Sequence, residues 1–192
     1  MIPFIHYLSR AHICIINYIS ISKNISSMIV QEVQMIPGFN EKGNLPAGLH
    51  QATLVEFETR FVTEPESSTR EDIFKGYLEY RSELEPLHVT IKQWIDGSFT
   101  TSKQNPSDID LVTQWDGEKV DRDKQIQSKL IPLFNQNDIK GKYRCDVYGF
   151  PRYSEGDPLY QKTLQWRSYW LGLFGFTRGD RPDPKGIIEF NF

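Results

Sequence analysis

Cysteine is nearly absent from these 192 residues: only Cys14 and Cys145 occur, far apart in the chain. No Cys-x-x-Cys pair and no neighbouring histidine supplies zinc-ligand spacing, so neither a disulfide framework nor a structural zinc site is indicated, and a reducing cytoplasm fits best. Basic runs are missing too. With 22 Lys and Arg against 25 Asp and Glu the formal charge is −3, which gives no electrostatic reason for non-specific binding to a nucleic-acid backbone or an anionic membrane; only a local basic groove stays open. Internal repeats and low-complexity tracts are lacking as well, which excludes solenoids and propellers. What is present is core-forming material. At 39% hydrophobic and 13% aromatic residues the chain can bury a sizeable core, and its length fits one globular domain.

The first 34 residues differ from the rest. They hold nine Ile, two basic residues and one acidic residue, whereas residues 35–192 carry 20 basic and 24 acidic residues. The longest charge-free stretch of this segment, Ala11 to Ser22, has 12 residues and falls short of the roughly 20 apolar residues that span a bilayer. As a secretory signal it is poor, because the start is uncharged and no small-x-small cleavage site follows. Residues 1–34 therefore read as an extension outside the fold, translated from an upstream start, with a docking strand or a membrane-surface segment as the other readings. Met35 is then a second start, and 35–192 the folded domain.

Within 35–192 helical and alternating segments follow one another. Residues 35–50, dense in Gly and Pro, predict an irregular arm. Ala52 to Phe61 reads as a short helix, with Thr53 and Glu56 forming a capping box. A longer helix spans Glu71 to Glu85, with Thr69 and Asp72 repeating that start signal and Pro86 marking the end. Val89–Ile95 and Asp108–Thr113 read as strands, and Asp121 to Asn135 as a helix that Pro132 kinks or shortens. Tyr143–Tyr148 is a third strand, Pro158 to Phe174 an aromatic-rich helix, and Gly186–Phe190 a last strand or extended segment. The pattern predicts an α/β or α+β domain: a small mixed, twisted sheet flanked by helices, with those helices on one side.

One constellation carries chemistry. Gly97-Ser98 forms a small-residue turn at the end of one predicted strand, and Asp108-Ile109-Asp110 opens the next. Residues i and i+2 of a strand face the same way, so Asp108 and Asp110 project together while Ile109 enters the core. Two such carboxylates repel unless a cation bridges them, and hard oxygen ligands suit Mg²⁺. Gly97 lets the backbone approach a phosphate, and Ser98 offers a hydroxyl and an N–H at an expected helix N-terminus. Asp146, in a later strand, could add a third carboxylate and complete a two-metal site for phosphoryl-type transfer.

The order Gly97-Ser98, Asp108-Ile109-Asp110, Asp146 resembles the signature of the polymerase-beta-type nucleotidyltransferase superfamily. Residues 35–61, 94–112 and 178–190 further resemble a family of uncharacterised bacterial nucleotidyltransferase-like proteins, whose members typically begin at the equivalent of the MIP-x-FN of residues 35–40. The resemblance implies Gly97 and Ser98 for the phosphates, and Asp108, Asp110 and Asp146 as metal ligands and catalytic carboxylates. It also implies two Mg²⁺ ions and a nucleoside triphosphate, such as ATP, as substrate. It does not supply the acceptor, which stays open among a protein, a tRNA end and a small molecule. Small stand-alone members also resemble the nucleotidyltransferase components of toxin–antitoxin and phage-defence pairs, so a partner of that type follows by analogy alone.

Plainer readings stand beside these. An Asp-x-Asp alone is more often a solvated strand edge, and Asp146 alone an exposed carboxylate paired with Arg144. Asp96 reads as a cap or turn residue, and Thr100, Thr101 and Lys103 as a solvated first helical turn before they read as a lining for the nucleotide. His6, His12, His50 and His88 show no ligand spacing. Trp166, Trp170, Phe174 and Phe176 read as core before they read as a base platform. Lys162, Arg167, Arg178 and Lys185 are candidates for triphosphate contacts. Two function classes result: a metal-dependent nucleotidyltransferase, favoured by retention of all three aspartates, and a non-catalytic nucleotide-sensing or partner-binding module with the same fold.

Overall fold

The structure is a computed structural model that describes residues 36–192; the expectations for residues 1–34 and for a start at Met35 lie outside the described residues. Five strands form one mixed sheet in the order β1-β5-β2-β3-β4. They are β1 (Gly48–Gln51), β2 (Thr90–Asp96), β3 (Ile109–Asp116), β4 (Cys145–Arg152) and β5 (Gly186–Asn191). The β2–β3 and β2–β5 pairs are antiparallel, and the β3–β4 and β1–β5 pairs are parallel. Among the described residues six α-helices accompany the sheet: α1 (Leu54–Glu58), α2 (Arg70–Leu84), α3 (Gly117–Arg122), α4 (Lys124–Leu130), α5 (Gln136–Tyr143) and α6 (Tyr160–Phe174).

Strand alternation sorts side chains onto two faces, and both faces are covered. On one, Ile95, Ile109, Leu111, Cys145, Val147, Ile188 and Phe190 pack with Phe57, Phe61, Ile73, Tyr77, Tyr80 and Leu84 from α1, α2 and the turn between them. On the other, Trp94, Val112, Phe150 and Ile187 pack with Phe174, flanked by Trp166 and Trp170 of α6. The expectation of helices on one side alone is thus corrected. Helix α6 seals the second face with Trp166, Trp170 and Phe174 and still exposes Leu164, Tyr169 and Leu173.

Local signals acted where they were self-contained. Thr53 accepts from the Glu56 N–H while the Glu56 carboxylate accepts from the Thr53 N–H, the reciprocal capping box expected of that spacing. Thr69 does not cap α2 as its sequence implied. Its hydroxyl donates to the Pro106 carbonyl, and Ser67 Oγ accepts the Thr69 and Arg70 N–H groups instead. The single helix expected over residues 121–135 is a chain of pieces. Asp116 caps α3 and Asp123 caps α4, so the helix restarts, and Pro132 converts residues Ile131–Phe134 to a 3-10 turn before α5. Helix α5 and the short edge strand β1 were not expected. Among the described residues, no helix is long and apolar enough to cross a membrane.

Candidate functional site

The β2 and β3 ladder places Asp96 opposite Asp110, and the β3 and β4 ladder places Asp110 opposite Asp146. Three carboxylates therefore form a row across three strands, on the α6 face, at the end of the sheet where β2 finishes and β3 and β4 begin. Asp108 stands just before Ile109, which is fully buried as its alternation requires. All four aspartates line a cavity of about 470 Å³ together with Gly97, Ser98 and Thr101. Leu173, Phe174 and Phe176 line it from the C-terminal end of α6 and the following loop.

Asp96 corrects the reading of a turn residue: it is the last residue of β2, only 4% exposed, and belongs to the row. Alternation with Trp94 carried that signal in the sequence. Gly97 follows in the left-handed region at φ +79°, and a Cβ there would run into the carboxylate of Asp110. Residues Gly97–Thr100 form one 3-10 turn, not the expected helix N-terminus. Thr100 is buried and its hydroxyl donates to the Gly97 carbonyl, while the Thr101 hydroxyl donates to the Ser98 carbonyl at 2.8 Å, so the solvated helical turn expected of them is a closed loop.

That loop is held from beneath by Arg70, which is 1% exposed. Its guanidinium donates to the carbonyls of Phe61, Phe99, Thr101, Lys103 and Gln104 and, among the described residues, meets no carboxylate. Burial pushes its pKa down to about 10, which leaves a positive charge under the turn at neutral pH. Nothing in the local sequence singled it out, because four of its five partners come from a loop some thirty residues downstream.

The chain's own cations meet the carboxylates. Lys140 Nζ, from α5, lies 2.7 Å from Asp108 Oδ2 and donates to Asp146 Oδ2 at 3.0 Å. This overturns the pairing of Asp146 with Arg144. Lys185 Nζ, just before β5, donates to Asp96 Oδ2 at 2.7 Å, and Arg178 reaches within 3.9 Å of Asp110. Of the four basic candidates, Lys185 and Arg178 line the cavity, whereas Lys162 and Arg167 lie outside it. Trp166, Trp170 and Phe174 belong to the second core as expected, but Phe176 is 43% exposed at the cavity wall.

These contacts separate the aspartates electrostatically. Burial pushes Asp110 up to about 6, and the negative charges of Asp108, Asp146 and Asp96 add to that effect. Asp96 is also raised by burial, against the pull of Lys185. For Asp108 burial pushes upward, yet the hydrogen bonds from Lys140 and Ser107 outweigh it and hold the group below its ordinary value. Asp96 Oδ1 is buried without a hydrogen-bond partner.

Among the described residues, no three His, Cys, Asp or Glu side chains converge closely enough to hold a metal ion as they stand. Lys140 accounts for part of this, since its ammonium sits between two of the carboxylates. The donor set itself fits a hard divalent cation. It is all oxygen, it contains one buried orphan in Asp96, and it holds Asp110 at a raised pKa that positive charge would lower. Asp96, Asp108, Asp110 and Asp146 are the residues that could hold such an ion.

Residues 37–191 match the Family of unknown function (DUF6932). The chain belongs to this family. No curated protein and no solved structure matches it.

Proposed function

We propose that this member of DUF6932 is a Mg²⁺-dependent nucleotidyltransferase that moves a nucleoside monophosphate from a nucleoside triphosphate to a hydroxyl acceptor. The observation that carries the reading is the carboxylate row Asp96, Asp110 and Asp146, joined by Asp108, around the Gly97–Ser98 turn in one cavity. In the transfer, the acceptor oxygen forms a bond to the α-phosphorus, the bond from that phosphorus to the bridging oxygen breaks, and pyrophosphate leaves with the electron pair. The acceptor's proton passes to a carboxylate of the row or to solvent. Bound divalent cations would supply charge neutralisation for the phosphates and a lowered pKa for the acceptor hydroxyl.

The chain's own residues do the rest. Asp108, Asp110, Asp146 and Asp96 supply the negative oxygen field. Gly97 and Ser98 let a phosphate approach the backbone, and Arg70 fixes the shape of that turn. Lys185 within the cavity and Arg178 at its rim bring positive charge, and positioning and charge compensation are most of what phosphoryl-type transfer requires. A cytoplasmic setting without membrane association goes with this reading, and among the described residues Cys145 is a free, buried thiol, as a reducing compartment allows. The acceptor is a protein, a tRNA end or a small molecule, and a toxin–antitoxin type of partner enters only through the resemblance.

One observation favours the second reading, a nucleotide-sensing or partner-binding module: Lys140 already bridges Asp108 and Asp146. Titrating nucleoside triphosphates with Mg²⁺ into the full chain by calorimetry, beside an Asp108→Asn/Asp110→Asn variant, tests the nucleotide site. Metal-dependent binding lost in the variant supports it, and no binding by the wild type overturns it. Incubation with α-labelled triphosphate and candidate acceptors then separates the two readings by turnover.

A further inference from the structure

We propose that two copies of this chain pair antiparallel along the outer edge of β4, about a two-fold axis at Gly149, and continue the sheet from one copy into the other. Strand β4 closes the sheet with 8 residues, Cys145–Arg152, whereas β1 at the opposite edge has 4. The Ile109 N–H donates to the Arg144 carbonyl. In this parallel ladder the even-numbered residues of β4 therefore turn their backbone groups to β3, and Val147, Gly149 and Pro151 turn theirs outward. Among the described residues, no loop or helix backbone supplies a partner for the Val147 and Gly149 N–H groups. Such an edge is a template for another strand, and Pro151, which lacks an N–H, blunts it at one position.

A cavity of about 540 Å³ follows the same edge, lined by Trp115, Leu130 and Phe134 on one side of the sheet and by Tyr148 and Trp170 on the other. Apolar side chains stand open on both sides. Ile131, which also lines the cavity, is 69% exposed, and Tyr169, edge-on against Trp170, is 61% exposed. Charge identifies the occupant. Asp146 and Arg152 lie on one face of β4 at equal spacing from Gly149, so antiparallel pairing about Gly149 sets each Asp146 against the second copy's Arg152. Among the described residues Arg152 has no ion-pair partner. Lys140 reaches Asp146 at Oδ2, which leaves the carboxylate lone pairs for a second cation. In the same register the Gly149 N–H of each copy meets the Gly149 carbonyl of the other, and each Val147 N–H meets the other's Pro151 carbonyl. A centre at Tyr148 would set Arg152 against Arg144, like against like, and one at Phe150 would set it against Tyr148. The pairing also brings the second copy's Arg152 to the Asp146 end of the carboxylate row.

Sedimentation velocity of the full chain from about 1 to about 100 µM, with amide hydrogen exchange at both ends of that range, tests this. A dimer is expected at the higher concentration, with the Val147 and Gly149 amides slow to exchange there and fast on dilution. Arg152→Asp should weaken the dimer by at least about tenfold, since it sets carboxylates face to face on both sides of the axis. Asp146→Arg/Arg152→Asp exchanges the charges and should return the dimer to within about threefold of wild type. Thermal melts establish that both variants are folded. A wild-type chain that stays monomeric at the top of the range overturns the proposal, as does a dimer whose Val147 and Gly149 amides exchange at the same rate at every concentration. A dimer indifferent to Arg152→Asp, or a folded charge-exchanged variant that stays monomeric, overturns the Gly149 register and the proposal with it. Where the double variant does not fold, the wild-type exchange and the Arg152→Asp result decide.

Discussion

Asp96 and Asp110 face each other across the antiparallel β2–β3 pair. Both are largely buried, and only Asp96 is closely paired with a cation, at Lys185. Such crowding of negative charge is costly for a fold, and Asp110 bears the cost, with its pKa raised to about 6 by burial and by its three acidic neighbours. Below pH of about 4 the group is protonated both folded and unfolded, so it contributes nothing. Between about 4 and 6 the unfolded chain gives up the proton while the folded one keeps it, and stability falls as pH rises; above about 6 the full penalty of about 3 kcal/mol applies. Asp110→Asn should therefore stabilise the metal-free protein by about 1–3 kcal/mol at pH 7.5 and have little effect near pH 4. Urea unfolding at the two pH values checks this, and a loss of stability at pH 7.5 would contradict it.

Lys140 opposes that crowding from the other side. Its ammonium is 47% exposed, while Asp108 and Asp146 are 19% and 18% exposed, so the bridge is partly screened. Lys140→Met should lower stability by about 1 kcal/mol in the absence of metal. It should also raise the affinity for Mn²⁺ several-fold, because an incoming cation no longer displaces an ammonium. Calorimetry with Mn²⁺ on both proteins measures the second effect. Weaker Mn²⁺ binding in the variant would show that Lys140 supports the cation and does not compete with it.

The capping box at Thr53, the alternation around Ile109 and the breaking effect of Pro132 were legible because each acts within a few residues. So was the grouping of Asp108, Asp110 and Asp146 in one cavity, since strand periodicity and order sufficed to suggest it. Asp96 was legible in part, through its spacing from Trp94, but its membership of the row depends on β2 pairing with β3 in that register. Lys140 was hidden, because α5 has polar residues at most positions and shows no clear apolar stripe. Arg70 was hidden for another reason: a lone arginine near a helix start says nothing of a loop that arrives from residues 99–104. Covering of the second sheet face could not be read from α6 either, as an apolar stripe on a helix does not announce which face of the sheet it packs on.

Gly97 links the turn to the carboxylates. Any side chain there meets a left-handed φ of +79° and the carboxylate of Asp110 at once. Gly97→Ala should cost about 1–2 kcal/mol from the backbone conformation alone. It should in addition push Asp110 out of the row, so that Mg²⁺-dependent triphosphate binding falls by more than the stability loss explains. Calorimetry at a temperature where the variant remains folded separates the two effects. Unchanged binding would show that the Asp110 carboxylate moves freely away from Gly97.

Arg70 offers the sharpest contrast between shape and charge. Five carbonyl groups from two loops converge on one buried guanidinium. Arg70→Met removes their donors and leaves several carbonyls buried without partners, for an expected loss of about 3–4 kcal/mol. Arg70→Lys keeps the charge, yet an ammonium has three donors on a point and cannot span the planar fork, so it should recover less than about half of that loss. Denaturant titration of both variants distinguishes the contributions. Full recovery by Lys would mean that positive charge under the turn matters and the fork geometry does not; in that case the same variant should also keep wild-type affinity for triphosphate, whereas a shape requirement predicts weakened binding even where the protein is folded.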